Sequence, residues 1–83
     1  MNKYAISYDL NKEGQKYSEL IKFLKSFPDY VHIQDSFWFI KSNQSLDIIS
    51  KSIDSILDSN DEYLILEFDS HPVGKVADDV YQD

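Results

Sequence analysis

The sequence predicts an α+β fold in which two helices cover one face of a four-stranded antiparallel sheet. Three segments have the alternation or the β-branched and aromatic content of strands, and two others have the apolar spacing of helices. The order along the 83 residues is strand, helix, strand, strand, helix, strand, which is the split βαβ, or ferredoxin-like, arrangement. The predicted domain covers residues 1–69, and residues 70–83 form a C-terminal tail that either packs on a partner subunit or frays.

The first strand and the first helix follow from a change of period. Large apolar residues occupy every second position in residues 3–9, as in a strand with one buried face. From Gln15 the apolar spacing becomes i, i+3, i+4 and i+7, which is typical of an amphipathic helix. Its apolar stripe consists of Tyr17, Leu20, Ile21, Leu24 and Phe27. Pro28 ends this helix, because the residue before a proline is forced out of helical geometry.

The second half of the chain supplies a hairpin, a helix and a last strand. Residues 30–42 are too long for one strand, and Asp35-Ser36 in their middle predicts a hairpin. The second helix begins at Ser45, a good N-cap residue, and Asn60 is predicted to cap its end in a left-handed conformation. The last strand covers residues 62–69. One face of the sheet has no cover from this chain, which predicts a symmetric dimer.

The composition limits the classes of function. The chain has no cysteine, which excludes disulfides and thiolate zinc sites, and a cytoplasmic location is expected. The start of the chain does not have the pattern of a signal peptide, and no apolar run approaches the ~20 residues of a membrane span. Residues 1–42 carry six lysines and five acids, whereas residues 43–83 carry two lysines and ten acids, which gives the net charge of −7. The absence of arginine disfavours nucleic-acid binding, and the acidic second half suits a basic protein partner.

Two short motifs resemble those of a known family. The first strand contains Ile6–Leu10, ISYDL, and the predicted hairpin contains Val31–Trp38 with Gln34 and Ser36 in the spacing V-Q-x-S-V-F. On these motifs the chain resembles CRISPR-associated protein two (Cas-two) and the related small Cas-two-like and VapD-like proteins. The resemblance covers residues 3–69.

The resemblance implies a ferredoxin-like homodimer with one of two modes of action. Some members are assigned metal-dependent phosphodiesterase activity on RNA or DNA, and others act as non-catalytic adapters. The resemblance further implies that Asp9 is the metal-binding and catalytic aspartate, with one Mg²⁺ or Mn²⁺ shared between two copies at the dimer axis. Such an ion would neutralise a phosphate and activate a water molecule. The candidate phosphate or partner contacts are Ser7, Lys12, Lys16 and Ser36.

Each candidate residue also has a structural interpretation. Asp9 can cap the loop after its strand, and small serines are common on the polar side of strands. His32 has no activating partner that the sequence reveals. The aromatic run Phe37–Phe39 either stacks bases or packs, with alternate members in the core and in a dimer interface. Packing is favoured, because no basic residue before Lys41 accompanies the run.

These observations favour a Cas-two-like homodimer that is weak or inactive as a nuclease and acts by binding protein or a nucleic-acid complex. The missing arginines and the negative charge weaken phosphate affinity, which comes mostly from cationic contacts. One alternative is a metal-dependent endonuclease that uses Asp9. Another is an acidic inhibitor from a mobile element that engages a nucleic-acid-handling defence protein, and a third is a structural subunit.

Overall fold

The computed structural model contains the six elements in the predicted order. It describes residues 1–11 and 15–75, with the side chains of all of these except Gln15 and Lys16. The elements are β1 (Asn2–Asp9), α1 (Gln15–Leu24), β2 (Asp29–Gln34), β3 (Phe37–Ser42), α2 (Leu46–Ile56) and β4 (Glu62–Phe68). All neighbouring strands pair antiparallel in the order β2-β3-β1-β4. The ferredoxin-like α+β fold predicted from the sequence is therefore confirmed.

The core lies between the sheet and the two helices. Alternate residues of the central strands point into it, among them Tyr4 and Ile6 of β1 and Trp38 of β3, each fully buried. The helices contribute Leu20, Leu24, Ile49 and Ile53, which are also fully buried. Because both helices pack on the same side, neither of them covers the opposite side of the sheet. No helix in the described part of the chain is long and apolar enough to cross a membrane.

A buried hydrogen-bond chain connects the core to the β2–β3 turn. The Trp38 Nε1–H donates to the Tyr8 hydroxyl at 3.1 Å, and this hydroxyl donates to the Asp35 carbonyl oxygen at 3.2 Å. The Tyr8 backbone N–H donates to the Ser36 carbonyl oxygen at 3.0 Å. The polar atoms of both aromatic side chains are thus satisfied, as burial requires. The turn at Asp35-Ser36 is held against the central strand, and the predicted hairpin is confirmed.

The buried Tyr8 side chain makes the free energy of unfolding depend on pH in the alkaline range. Burial raises the pKa of Tyr8 from 10.0 to about 12. The unfolded chain therefore loses this proton at a lower pH than the folded chain. The resulting stabilisation is complete below pH 10 and is lost as the pH rises through about 12. We expect the free energy of unfolding from urea titrations to fall by about 1 kcal/mol from this residue between roughly pH 9 and pH 11. Tyr8→Phe should reduce that fall, and an unchanged pH dependence in this variant would contradict the assignment.

The second helix begins as predicted and ends earlier than predicted. The Ser45 hydroxyl accepts the Ile48 N–H at 3.2 Å, which confirms the N-cap. The prediction that Asn60 caps the other end is wrong, because the helix ends at Ile56 and the next residue is already extended. The reason lies in Asp61, whose carboxylate accepts the backbone N–H groups of Asp58 at 2.9 Å and Asn11 at 2.8 Å. These bonds favour a turn where further helix was expected.

Candidate functional site on the open sheet face

The side of the sheet that the helices leave uncovered forms one continuous surface, the open face. Its outward-facing side chains are Lys3, Ala5, Ser7 and Asp9 of β1, Asp29, Val31, Ile33 and Gln34 of β2, Phe37, Phe39 and Lys41 of β3, and Glu62, Leu64, Leu66 and Phe68 of β4. The register places Ala5 between Phe39 and Leu66. The Phe39 and Phe68 rings pack with centroids 5.1 Å apart. The middle of this surface is therefore apolar, with charged residues at both ends.

Two leucines of β4, Leu64 and Leu66, form the most exposed apolar part of the open face. We refer to them as the leucine patch; their side chains are 70% and 60% exposed. Both lie on the edge strand of the sheet, since β4 pairs only with β1 among the described strands. Neighbouring exposed leucines on a sheet are typical of a surface that binds another protein.

Asp9 lies at one end of the open face, directly opposite Glu62 on β4. The two residues line a shallow depression together with Ser7 and Leu64. Both carboxylates are exposed, and carboxylates directly opposite each other in a sheet repel. Within the described residues, His, Asp and Glu side chains form no group of three or more that could hold a metal ion. This pair therefore needs further ligands, from water, phosphate or a second copy, to bind Mg²⁺ or Mn²⁺.

Glu62 is a site residue that the sequence interpretation missed. It is the first residue of β4, and Asp9 is the last residue of β1. In an antiparallel pair the end of one strand lies beside the start of the other. Once β4 is placed beside β1, this pairing brings the two acids together, so the strand order was the signal that would have found it.

The structure brings two of the other candidate contacts together and leaves two undescribed. Ser7 and Ser36 line one depression at the β2–β3 turn, and the cation beside them is Lys75 of the tail. Lys12 lies outside the described residues, as does the side chain of Lys16. The serines are thus near a lysine that the sequence interpretation did not assign to the site.

The aromatic run and His32 divide between the two faces of the sheet. Trp38 is in the core, whereas Phe37 and Phe39 lie on the open face with ring centroids 5.3 Å apart. His32 stacks on Trp38 with centroids 4.2 Å apart, and its Nε2 lies 3.2 Å from the Asp35 carbonyl oxygen. It therefore lies on the opposite side of the sheet from Asp9 and cannot act as its general base. The predicted placement of alternate aromatics in the core is confirmed.

The side of the molecule formed by α2 and β4 is acidic, and we refer to it as the acidic surface. Its carboxylates are those of Asp47, Asp54, Asp58, Asp61, Glu62, Glu67 and Asp69. The Tyr63 hydroxyl connects the two elements, because it donates to the Asp54 carboxylate at 2.6 Å. Burial, and then this carboxylate, raise the pKa of Tyr63. Within residues 43–75 the lysines are Lys51 and Lys75, so a negative field dominates this side.

No family model and no curated protein sequence matches the chain. It is similar in structure to a hypothetical protein, TT1823, from Thermus thermophilus. The two chains have 20% sequence identity and a TM-score of 0.70, over 92% of this chain and 94% of the other. At this identity the likeness shows the fold alone.

Proposed function

We propose that the protein is a Cas-two-like homodimeric binding module, weak or inactive as a nuclease, that presents its acidic surface to a basic protein partner. The observation that carries the dimer is the leucine patch, with Leu64 and Leu66 exposed beside the apolar middle of the open face. A two-fold axis through this face would place the same apolar surface on both sides of the contact. Complete burial of each leucine would contribute about 1.5–3 kcal/mol before the costs of association.

Electrostatics support the binding role over cleavage. Asp9 faces Glu62 across the strand pair, and the chain has no arginine to hold a phosphate. A net charge of −7 repels nucleic acid at long range. The same charge attracts a basic protein, and proteins that handle nucleic acids commonly carry basic surfaces. Inhibition of a nucleic-acid-handling defence protein is therefore one form that the binding role would take.

A metal-dependent nuclease is the second candidate, and one observation favours it. Asp9 and Glu62 lie at the rim of the face that a second copy would cover, with Ser7 beside them. In a symmetric dimer each copy would contribute such a carboxylate pair. These are the hard oxygen ligands that Mg²⁺ and Mn²⁺ prefer, and a bound ion would supply charge neutralisation at a phosphate.

Oligomeric mass and nuclease activity, measured on the same preparation, test the proposal. Light scattering should give a mass that rises with protein concentration towards twice the 9.7 kDa chain mass. Incubation with single-stranded RNA or double-stranded DNA in Mg²⁺ or Mn²⁺ should give no cleavage beyond that of Asp9→Asn. Asp47→Asn, at an exposed position of α2, controls for the loss of one negative charge. Metal-dependent cleavage by wild type and Asp47→Asn, but not by Asp9→Asn, would establish the second candidate instead. A monomer at every concentration would refute the dimer.

A further inference from the structure

The chain turns back over its own open face after β4. The Lys3 ammonium donates to the Asp69 carbonyl oxygen at 3.5 Å, where this turn begins. We refer to Ser70–Lys75 as the return segment. His71 and Pro72 of this segment line a depression together with Val31 and Phe39. At its other end, the segment places Lys75 in a second depression with Ser7, Ile33 and Phe37. The return segment therefore follows β3 from the Phe39 end to the Phe37 end.

The return segment divides the open face into two halves of different exposure. Pro72 is half-buried, whereas the next residue, Val73, is 95% exposed, so one side of the segment faces the sheet. The β2–β3 half beneath it includes Ile33, which is only 7% exposed. The β4 half carries the leucine patch, and no described residue of the return segment covers it. The chain itself thus covers part of the surface that a second copy would use.

The remaining half is too small for a stable dimer. Two strands are about 10 Å wide, and the seven residues of β4 are about 24 Å long. A stable interface buries about 800 Å² on each partner, which is several times the area of such a strip. A tight face-to-face dimer consequently needs the β2–β3 half as well.

The contacts of the return segment are few. His71, Val73, Gly74 and Lys75 are all exposed, and a β-carbon built at Gly74 would meet no atom within 4 Å. Segments with little buried surface open locally at low free-energy cost. The segment can therefore leave the sheet without unfolding the domain.

We propose that the return segment and a second copy of the chain compete for the β2–β3 half of the open face, so that the position of this segment sets the strength of dimerisation. The inference rests on the proposed homodimer and adds its regulation. A partner or a modification that pulls the segment away would strengthen the dimer. A partner or a modification that holds the segment against the sheet would keep the protein monomeric.

Paired charge substitutions in the full chain test the competition. Pro72→Lys places an ammonium group in the depression that Lys3 and Lys41 also line, and should release the segment. Val73→Lys adds the same charge on the exposed side of the segment. We expect Pro72→Lys to lower the dimer dissociation constant at least ten-fold in sedimentation equilibrium, and Val73→Lys to leave it within about two-fold of wild type. Equal dissociation constants for the two variants would overturn the inference.

A covalent tether gives an independent test, because the chain has no cysteine of its own. The variant Ser7→Cys/Lys75→Cys should form an intramolecular cross-link with a short bismaleimide. Dimerisation should then be at least ten-fold weaker than in the same variant capped with N-ethylmaleimide. Cross-links mainly between copies, or equal dimerisation of the two forms, would overturn the competition. If wild type, capped variant and Pro72→Lys are all monomeric throughout, the proposed homodimer fails, and the competition fails with it.

Discussion

Replacing Trp38 with alanine should remove most of the stability of the fold. Trp38, the second residue of β3, is fully buried, and its ring packs against His32 and Tyr30. Truncation of a buried aromatic residue to alanine costs roughly 3–5 kcal/mol, and here it also removes the hydrogen-bond donor to Tyr8. A domain of this size has only about 5–10 kcal/mol of stability in total. Circular dichroism and urea titration would measure the loss.

Two further variants bracket the effect of this truncation. Trp38→Phe keeps one aromatic ring in the core but loses the second ring of the indole and its N–H, so we expect a loss of about 1–3 kcal/mol, smaller than that of Trp38→Ala. Phe37→Ala, on the neighbouring half-buried position of the open face, should cost less than Trp38→Ala. If Trp38→Ala unfolds at a urea concentration close to that of wild type, the assignment of Trp38 to the centre of the core is wrong.

The double variant Leu64→Lys/Leu66→Lys should abolish the proposed dimer while leaving the monomer folded. Both side chains are exposed, so their replacement removes little buried surface from the domain, and lysines are well tolerated on edge strands. At a two-fold interface the change would bury like charges and remove four leucines from the contact. We expect the dissociation constant from sedimentation equilibrium to rise at least 100-fold.

Ser55→Lys/Ser59→Lys provides the control for this experiment. Both serines are exposed on the helix side of the molecule, and the double substitution adds the same charge. We expect this control to dimerise as wild type does. A dimer of wild-type strength in the leucine variant, with the control also unchanged, would show that the copies meet elsewhere.

The sequence predicts the order of elements because helical and strand periods are local properties. It also predicts that Trp38 and its two phenylalanine neighbours lie on opposite faces. It does not predict which alternate set of β4 faces the helices, since each set combines apolar residues with one glutamate. Pairing with β1 decides this, because Ile6 lies opposite Ile65 and so directs Ile65 toward the core. The leucine patch belongs to the other set, which this register places on the open face.

The candidate site could likewise be predicted only in part from the sequence. The motif around Asp9 is visible in the sequence, but its neighbour Glu62 is 53 positions away along the chain and is found only through strand order. Lys75 belongs to a tail without periodicity, so no pattern places it beside Ser7. The prediction that Asn60 caps α2 rests on the preference of asparagine for left-handed helix ends. The hydrogen bonds of the Asp61 carboxylate outweigh this preference.

The position of β4 at the margin of the sheet has a consequence for handling the protein. Its outer backbone amides and carbonyls can accept another extended chain, and its alternation of apolar side chains suits stacking of many copies. Mutual repulsion between chains of net charge −7 opposes such growth. Dissolved ions shorten the reach of that repulsion to about 10 Å at 0.1 M. Concentrated stocks should therefore remain clear in dilute buffer and form fibrous precipitate as the ionic strength is raised.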